Sequence, residues 1–217
     1  MNSILMRKLI GFTSVLAVCA VMVSTASAQW YAGGNLGQSR INYNSSQLSA
    51  DLAAAGITGT GSVTNTDVGG KLFVGYQFNE NFALEGGYFN MGRFASINGT
   101  FTAPAPGGTF SATIKGQGVN LDAVGLLPFN NGFSILGRLG AAYFETKADA
   151  TATTAGFAGY SNATSGKLVP ALGIGLQYDF TKSVAGRLEV QRYIKVGNNN
   201  TGSGDVDFYS AGIAVKF

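Results

Sequence analysis

The chain has 217 residues, of which 12% are charged and 32 are glycine. This length suits one domain, and the charged fraction is about half of the ~25% usual in soluble proteins. Histidine is absent, and Cys19 is the only cysteine. Hydrolases that activate a nucleophile with histidine are therefore excluded, and a structural zinc site is implausible. We expect a protein without enzyme activity, cofactor or metal.

The N-terminus has the three parts of a signal peptide. Arg7 and Lys8 form a basic segment, and residues 9–23 are mostly apolar. Ala26-Ser27-Ala28 then gives the small-x-small pattern that signal peptidase reads. An uncleaved anchor is the alternative, but the apolar run is shorter than the ~20 residues that a spanning helix needs. The sequence therefore predicts a cleaved signal over residues 1–28.

The mature domain is predicted to cover residues 29–217. Loss of the signal would leave 12 of the 14 basic residues against 11 acidic ones, a net charge of +1. This balance lacks the basic surface of a nucleic-acid-binding protein, so no nucleic-acid partner is expected. A lipoprotein signal is disfavoured because Val18, rather than a small residue, precedes Cys19.

The mature chain contains about eight segments in which apolar residues alternate with polar or small ones. Alternation with period two predicts strands. The segments lie near residues 30–37, 71–78, 82–89, 119–127, 133–143, 170–178, 184–191 and 205–217. No run of 18 apolar residues follows the signal, which argues against spanning helices.

The connections between these segments alternate in length. Three are tight, at residues 79–81, 130–132 and 181–183, and four are long and polar, near residues 41–66, 93–114, 146–165 and 194–204. Short turns at one end and long loops at the other are typical of outer-membrane barrels, whereas a soluble sandwich gives no reason for the regularity. The predicted fold is all-β: an eight-stranded antiparallel up-and-down transmembrane β-barrel with four extracellular loops.

Aromatic residues are predicted to form a girdle at each membrane boundary. With the tight turns together, the periplasmic rim would carry Trp30, Phe78, Phe82, Phe129, Phe133, Phe180 and the terminal Phe217. The opposite rim would carry Tyr88, Tyr143 and Tyr209. Such girdles flank the apolar band of membrane barrels. The alternative for the last segment alone is an edge strand of a soluble sandwich.

Short motifs along these strands are similar to those of a known family. They are Trp30-Tyr31, Gly75-Tyr76-Gln77, Glu85, Gln117-Gly118-Val119, Gly137-Arg138-Leu139-Gly140, Arg187-Leu188-Glu189 with Gln191, and Lys216-Phe217. In this order and spacing the chain resembles the transmembrane domain of the OmpA family over nearly all of residues 29–217. The resemblance implies a Gram-negative outer-membrane protein in which Phe217 serves as an assembly signal. A periplasmic peptidoglycan-binding domain is not expected, as in the smaller OmpX-type barrels.

Six charged residues are predicted to point into the barrel near its mid-height: Lys71, Glu85, Asp122, Arg138, Arg187 and Glu189. Side chains just fill an eight-stranded barrel, so these charges must pair to offset their desolvation. A salt-bridged plug is the favoured interpretation, and a gated pore is the alternative. The family resemblance implies that Glu85 and Arg187 belong to such a gate. The lysine that would complete it is replaced by Val124.

The predicted function is envelope integrity and surface display or adhesion through the extracellular loops. A narrow, porin-like diffusion channel is the alternative, and a lipid-modifying enzyme is disfavoured by the missing histidine. The expected partners are outer-membrane lipid and lipopolysaccharide, the outer-membrane assembly machinery, and a host or surface ligand of the loops. A monomer is expected.

Overall fold

The computed structural model describes residues 28–198 and 201–217. The predicted signal peptide lies outside these residues apart from its last position, so its cleavage stays a prediction. The described residues form ten strands and one helix. In chain order these are β1 (Gln29–Ile41), α1 (Ser45–Ala54), β2 (Thr58–Thr64), β3 (Thr66–Asn79), β4 (Phe82–Asn90), β5 (Ala95–Ala103), β6 (Gly108–Pro128), β7 (Phe133–Thr154), β8 (Phe157–Asp179), β9 (Val184–Asn198) and β10 (Gly202–Lys216). Within the described residues, no helix has both the length and the apolar character needed to cross a membrane.

Eight of the strands close into a ring. Its order is β1-β3-β4-β6-β7-β8-β9-β10, every neighbouring pair is antiparallel, and β10 pairs back with β1. The alternation in the sequence explains the two faces of the wall. In β3, Leu72 and Val74 are exposed on the outside, whereas Lys71 and Phe73 are buried inside. The predicted eight-stranded antiparallel barrel is confirmed.

The tight turns lie where they were expected. The backbone N–H of Phe129 donates to the carbonyl of Phe133 (2.8 Å), which closes a three-residue loop between β6 and β7. Asn131 and Gly132 within it have φ of 96° and 81°. Asparagine and glycine tolerate this left-handed region best, which explains why an Asn-Gly pair ends the loop.

The four long connections were predicted as loops, and this part of the prediction was wrong. β6, β7 and β8 continue as paired strands of 21, 22 and 23 residues, far beyond the ~9–11 residues needed to cross a membrane. β2 and β5 extend the same sheet, because β5 pairs with β6 and β2 pairs with β5. Outside the membrane both faces meet water, so no apolar alternation marks these strands in the sequence.

The first long connection also contains α1. Asn44 caps this helix: its side chain accepts a hydrogen bond from the Gln47 backbone N–H (3.0 Å), and the Gln47 side chain accepts one from the Asn44 N–H (2.9 Å). This reciprocal pair is a capping box. Leu48 is the buried residue of the helix and lies beside Gly61 of β2, so its burial helps to anchor α1.

Pro170 lies within the alternating segment at residues 170–178, where a proline predicts a bulge or a strand end. β8 passes through it and pairs Pro170 with Ala141 of β7, but the ladder between β8 and β9 begins only at Ala171. Proline has no N–H to donate. Pro170 therefore lies at the position just before the pairing of β8 with β9 begins. The strand itself does not end there.

The interior is layered along the barrel axis. An upper apolar cluster, toward the extracellular end, consists of Phe89, Met91, Phe94, Ala95, Ala142, Phe144, Val169, Ala171, Tyr193, Val196, Val206 and Phe208. A lower apolar cluster, toward the tight turns, consists of Tyr31, Phe73, Ala83, Val124, Leu126, Leu136 and Ala214. The buried charged residues lie between these two clusters.

Candidate functional site: the charged layer of the lumen

The charged layer consists of Lys71, Glu85, Asp122, Arg138, Arg187 and Glu189, each at most 5% exposed. Five strands supply them: β3, β4, β6, β7 and β9. Three cations face three carboxylates, so the layer is formally neutral. Neutrality matters because an isolated charge in a low-dielectric interior costs several kcal/mol, and only good pairing offsets this cost.

Arg138 is the centre of the layer because it donates to all three carboxylates. Its Nη1 donates to Glu85 Oε2 and, more weakly, to Asp122 Oδ2 (3.4 Å). Its Nη2 donates to Glu189 Oε1 (2.8 Å). A guanidinium presents several donors in a rigid plane. One arginine can therefore connect β4, β6 and β9 across the lumen.

Glu85 is held by a second arginine and by a tyrosine. Arg187 Nη1 donates to Glu85 Oε1 at 2.6 Å, and the Tyr31 hydroxyl donates to the same oxygen at 2.7 Å. The Arg187 guanidinium also lies 5.1 Å from the ring centroids of both Tyr31 and Phe73. This cation–π geometry adds a favourable term when the cation is desolvated. Arg187 is thereby fixed to the lower apolar cluster.

Asp122 gathers the donors on the other side of the layer. Lys71 Nζ donates to Asp122 Oδ2 (3.3 Å) and to Gln191 Oε1 (2.9 Å). The amide groups of Gln191 (2.9 Å) and Asn120 (2.8 Å) donate to the same Asp122 oxygen. Neutral amides thus link the lysine and the aspartate into one network.

The charged members of this layer were predicted from the sequence, and its neutral members were not. Those are Tyr31, Asn35, Asn120, Gln177 and Gln191, which donate to or accept from the charged groups. All five occupy inward positions. Asn120 and Gln191 lie on β6 and β9, which also supply charges to the layer, whereas Tyr31, Asn35 and Gln177 lie on β1 and β8, which do not. Applying the alternation rule to amides and hydroxyls as well as charges would have found them.

Two glycines make room for side chains of the hydrogen-bond network, those of Tyr31 and Asp122. A Cβ at Gly75 would come within 2.2 Å of the Tyr31 ring, and a Cβ at Gly140 would come within 2.4 Å of Asp122 Oδ1. Both positions face the lumen, so any larger residue would displace a member of the network. Val124 is buried in the lower apolar cluster and adds no cation to the layer.

The outer wall carries exposed aromatic side chains at both rims. Large exposed residues near the tight turns are Trp30, Phe78, Phe82, Phe129, Phe133, Phe180 and Phe217, and those toward the other rim are Tyr88, Tyr143 and Tyr209. Tyr76 and Tyr178, which were not predicted as part of the girdle, pack against two of these rings: the Trp30–Tyr76 and Phe133–Tyr178 centroids are 5.0 and 4.6 Å apart.

Chemistry on a metal finds no support in the side chains. In residues 28–198 and 201–217, histidine, cysteine, aspartate and glutamate form no group of three or more placed to hold a metal ion. The charged layer combines carboxylates with guanidinium and ammonium groups, and each carboxylate is paired with at least one of these cations. Its arrangement can hold the lumen closed and can exchange ion-pair partners.

A closed ring of eight strands with an apolar outer wall and a charged layer in its interior defines a small integral β-barrel of an outer membrane. The model of the OmpA-like transmembrane domain matches residues 25–217. The chain therefore belongs to this family and resides in the Gram-negative outer membrane. The match confirms the resemblance that the sequence motifs predicted.

Individual relatives are distant. Outer membrane protein A of Yersinia pseudotuberculosis is 26% identical over 211 residues, which cover 96% of this chain and 53% of that protein. The chain thus spans about half the length of this relative. OprG of Pseudomonas aeruginosa matches with a TM-score of 0.52 at 16% identity, over 88% of this chain and 96% of that one. Ail of Yersinia pestis matches with a TM-score of 0.51 at 17% identity, over 88% of this chain and 100% of that one. At these identities the structural likeness shows the fold alone.

Deletion of Phe217 is expected to lower the amount of protein in the outer membrane and to leave material in the periplasm. The ring is 73% exposed on the outer wall, and the Phe217 N–H donates to the Trp30 carbonyl (2.9 Å) where the ring of strands closes. Transfer of such a ring to an apolar phase contributes about 1.5–3 kcal/mol.

Fractionation and a gel comparing boiled with unboiled samples would measure assembly of the Phe217 deletion. Phe217→Trp is the matched control, since it keeps an aromatic ring at the same position. We expect it to assemble like the wild type. Equal yields from the deletion and the wild type would contradict the role assigned to the terminal ring.

Proposed function

We propose that this protein is a closed, non-catalytic barrel that displays long β-hairpins at the bacterial surface, where they bind a host or surface ligand, and that the barrel supports envelope integrity. The proposal rests on the difference between the barrel interior and its extracellular strands. The lumen is filled with paired side chains, whereas three strands project far beyond the membrane.

The filled lumen argues for a scaffold. The charged layer lies between two apolar clusters, so a solute would have to displace buried aromatic rings as well as ion pairs. The absence of histidine from the sequence supports a non-catalytic role.

The projecting strands argue for surface display. The hairpin of β7 and β8 remains paired out to Thr154 and Phe157, and β6 runs alongside it. Near the tip, Phe157 is 70% exposed and Tyr160 is 64% exposed. Exposed aromatic residues away from the membrane are costly in water and are enriched where proteins bind partners. The tip is therefore the proposed contact surface.

Shortening this hairpin tests the display function. Ala148 and Ala163 are directly paired, so residues 149–162 can be replaced by an Asn-Gly turn without changing the register below. We expect the barrel to assemble normally and the adhesion of cells carrying it to laminin- or collagen-coated surfaces to fall several-fold. Counting adherent cells against an empty-vector strain gives the measurement.

A second variant separates hairpin shape from its side chains. Phe157→Ser with Tyr160→Ser keeps the length of β7 and β8 and removes both exposed rings. It is expected to lose most of the adhesion that the shortened hairpin loses. If the wild type adheres no better than the empty-vector strain, the adhesion proposal is wrong, whatever the variants do.

The remaining partners follow from the location. We propose that the outer wall contacts outer-membrane lipid and lipopolysaccharide, that the assembly machinery inserts the barrel after cleavage of the signal following Ala28, and that the protein works as a monomer. The aromatic rims and the apolar band between them support the contact with lipid.

A narrow diffusion channel is the second candidate function. Four buried atoms of the layer find no hydrogen-bond partner among the described residues: Asn35 Oδ1, Asn120 Oδ1, Asp122 Oδ1 and Arg138 Nε. Buried polar atoms usually acquire a protein or water partner, so these four favour some water within the lumen. Single-channel recording tests this: a plug that merely contains water would not conduct ions, whereas a gated channel would show an open state.

A further inference from the structure

The extracellular mouth of the barrel contains a cavity that the charged layer does not use. Its volume is about 420 Å³, within the range of ~300–1,000 Å³ that is typical of ligand pockets. Its wall includes Phe94, Ala95, Val196 and Val206, which belong to the upper apolar cluster. The rest of that cluster therefore separates the cavity from the charged layer.

The lip of the cavity is negatively charged. Asp51 of α1 and Asp205 of β10 line it and are exposed, while lysine and arginine are missing from its lining among the described residues. Asp51 accepts a hydrogen bond from the Tyr43 hydroxyl (2.7 Å). Partial burial and this bond raise the pKa of Tyr43 to about 12, so the hydroxyl remains a donor at neutral pH. Asp205 accepts a hydrogen bond from the Lys195 backbone N–H (2.9 Å), and its carboxylate also interacts electrostatically with the Arg192 guanidinium.

A buried hydroxyl also lines the cavity. Thr146 of β7 is 1% exposed, and its Oγ1 has no hydrogen-bond partner among the described residues. An unsatisfied buried hydroxyl costs free energy that valine, of nearly the same shape, would avoid. A water molecule held in the cavity beside a bound molecule would satisfy it.

We propose that this cavity is a binding site for small amphiphilic amines. The apolar body occupies the space between Phe94, Val196 and Val206, and the ammonium group lies against the carboxylates of Asp51 and Asp205. The apolar wall supplies the affinity, and the acidic lip selects cations over anions of the same length. The site is independent of the hairpin tip and of whether the lumen conducts.

Three probes of equal chain length test the proposal: octylamine, 1-octanol and octanoate. The full mature barrel is placed in phosphatidylcholine nanodiscs with labelled isoleucine methyl groups, and each probe is titrated by NMR. Ile97 and Ile114 report on the cavity, whereas Ile174 and Ile213 face lipid and report partition into the bilayer. We expect saturable shifts at the first pair and an affinity order of octylamine, then octanol, then octanoate, with about three- to tenfold between amine and alcohol.

Two kinds of variant locate the site. Asp51→Asn with Asp205→Asn keeps the shape of the lip and is expected to remove the preference for the amine while leaving octanol binding unchanged. Ile97→Trp, on the extracellular strand β5 outside the ring, should fill the cavity and abolish binding of all three probes. Uniform shifts at all four isoleucines, an octanol affinity equal to that of octylamine, or an amine preference that survives the aspartate changes would each overturn the proposal.

Discussion

Substitution of Arg138 by alanine is expected to lower the free energy of unfolding by about 3–5 kcal/mol, the usual cost of removing one partner from a buried ion pair. Arg138 donates to Glu85, Asp122 and Glu189. After its removal, three buried carboxylates would face only Lys71 and Arg187. Urea titration of the barrel refolded in lipid vesicles measures the change.

Another arginine provides the matched control. Arg192 forms a two-point ion pair with Asp207 at 2.6 and 2.7 Å, but its side chain is half exposed on the outer face. Exposed pairs contribute little because solvent screens them, so the urea midpoint of Arg192→Ala should lie close to that of the wild type. Equal losses in the two variants would show that the charged layer gives no particular stability.

Arg138→Lys gives an intermediate case. It keeps the positive charge but cannot reach three carboxylates with one rigid plane of donors. Its stability is expected to lie between that of the wild type and that of Arg138→Ala. A lysine variant as unstable as the alanine variant would assign the effect to hydrogen-bond geometry, and one as stable as the wild type would assign it to charge alone.

Alternation along the strands was enough to predict the ring and the inward position of each charged residue. It works within the membrane because one face of every strand meets lipid and the other meets the lumen, as Leu72 and Lys71 illustrate. The same signal disappears beyond the membrane. The outer halves of β6, β7 and β8 were therefore predicted as loops, although their ladders continue without a break.

Pairings within the lumen could not be read from the sequence. Alternation gives the face on which a side chain lies but not its height or its direction around the barrel axis. Arg138 on β7 and Glu85 on β4 are not on neighbouring strands, since β6 lies between them. They meet because the strands tilt and the lumen is narrow enough for one arginine to cross it.

Replacement of Glu85 by glutamine is expected to weaken the barrel without opening it. Glu85 accepts hydrogen bonds from Tyr31, Arg138 and Arg187. Glutamine has nearly the same volume, but its amide N–H group would face guanidinium groups that can only donate. The loss is expected to be roughly 1.5–3 kcal/mol, the range for a hydrogen bond to a charged group. Because the lumen stays filled, we expect neither the wild type nor Glu85→Gln to conduct ions in planar bilayers.

Single-channel recording of Glu85→Gln therefore decides between a plug and a gate. Glu80→Gln, the same chemical change on the exposed turn between β3 and β4, is the control and should leave both stability and conductance unchanged. A gate would behave differently, because removal of the Glu85 charge would free Arg138 and Arg187 to take other partners and would change the open-state conductance. The two apolar clusters argue against that outcome, since freed arginines would still have Phe144 above them and Phe73 below. A well-defined open state in the wild type, altered in Glu85→Gln and retained in Glu80→Gln, would establish the channel in place of the closed scaffold.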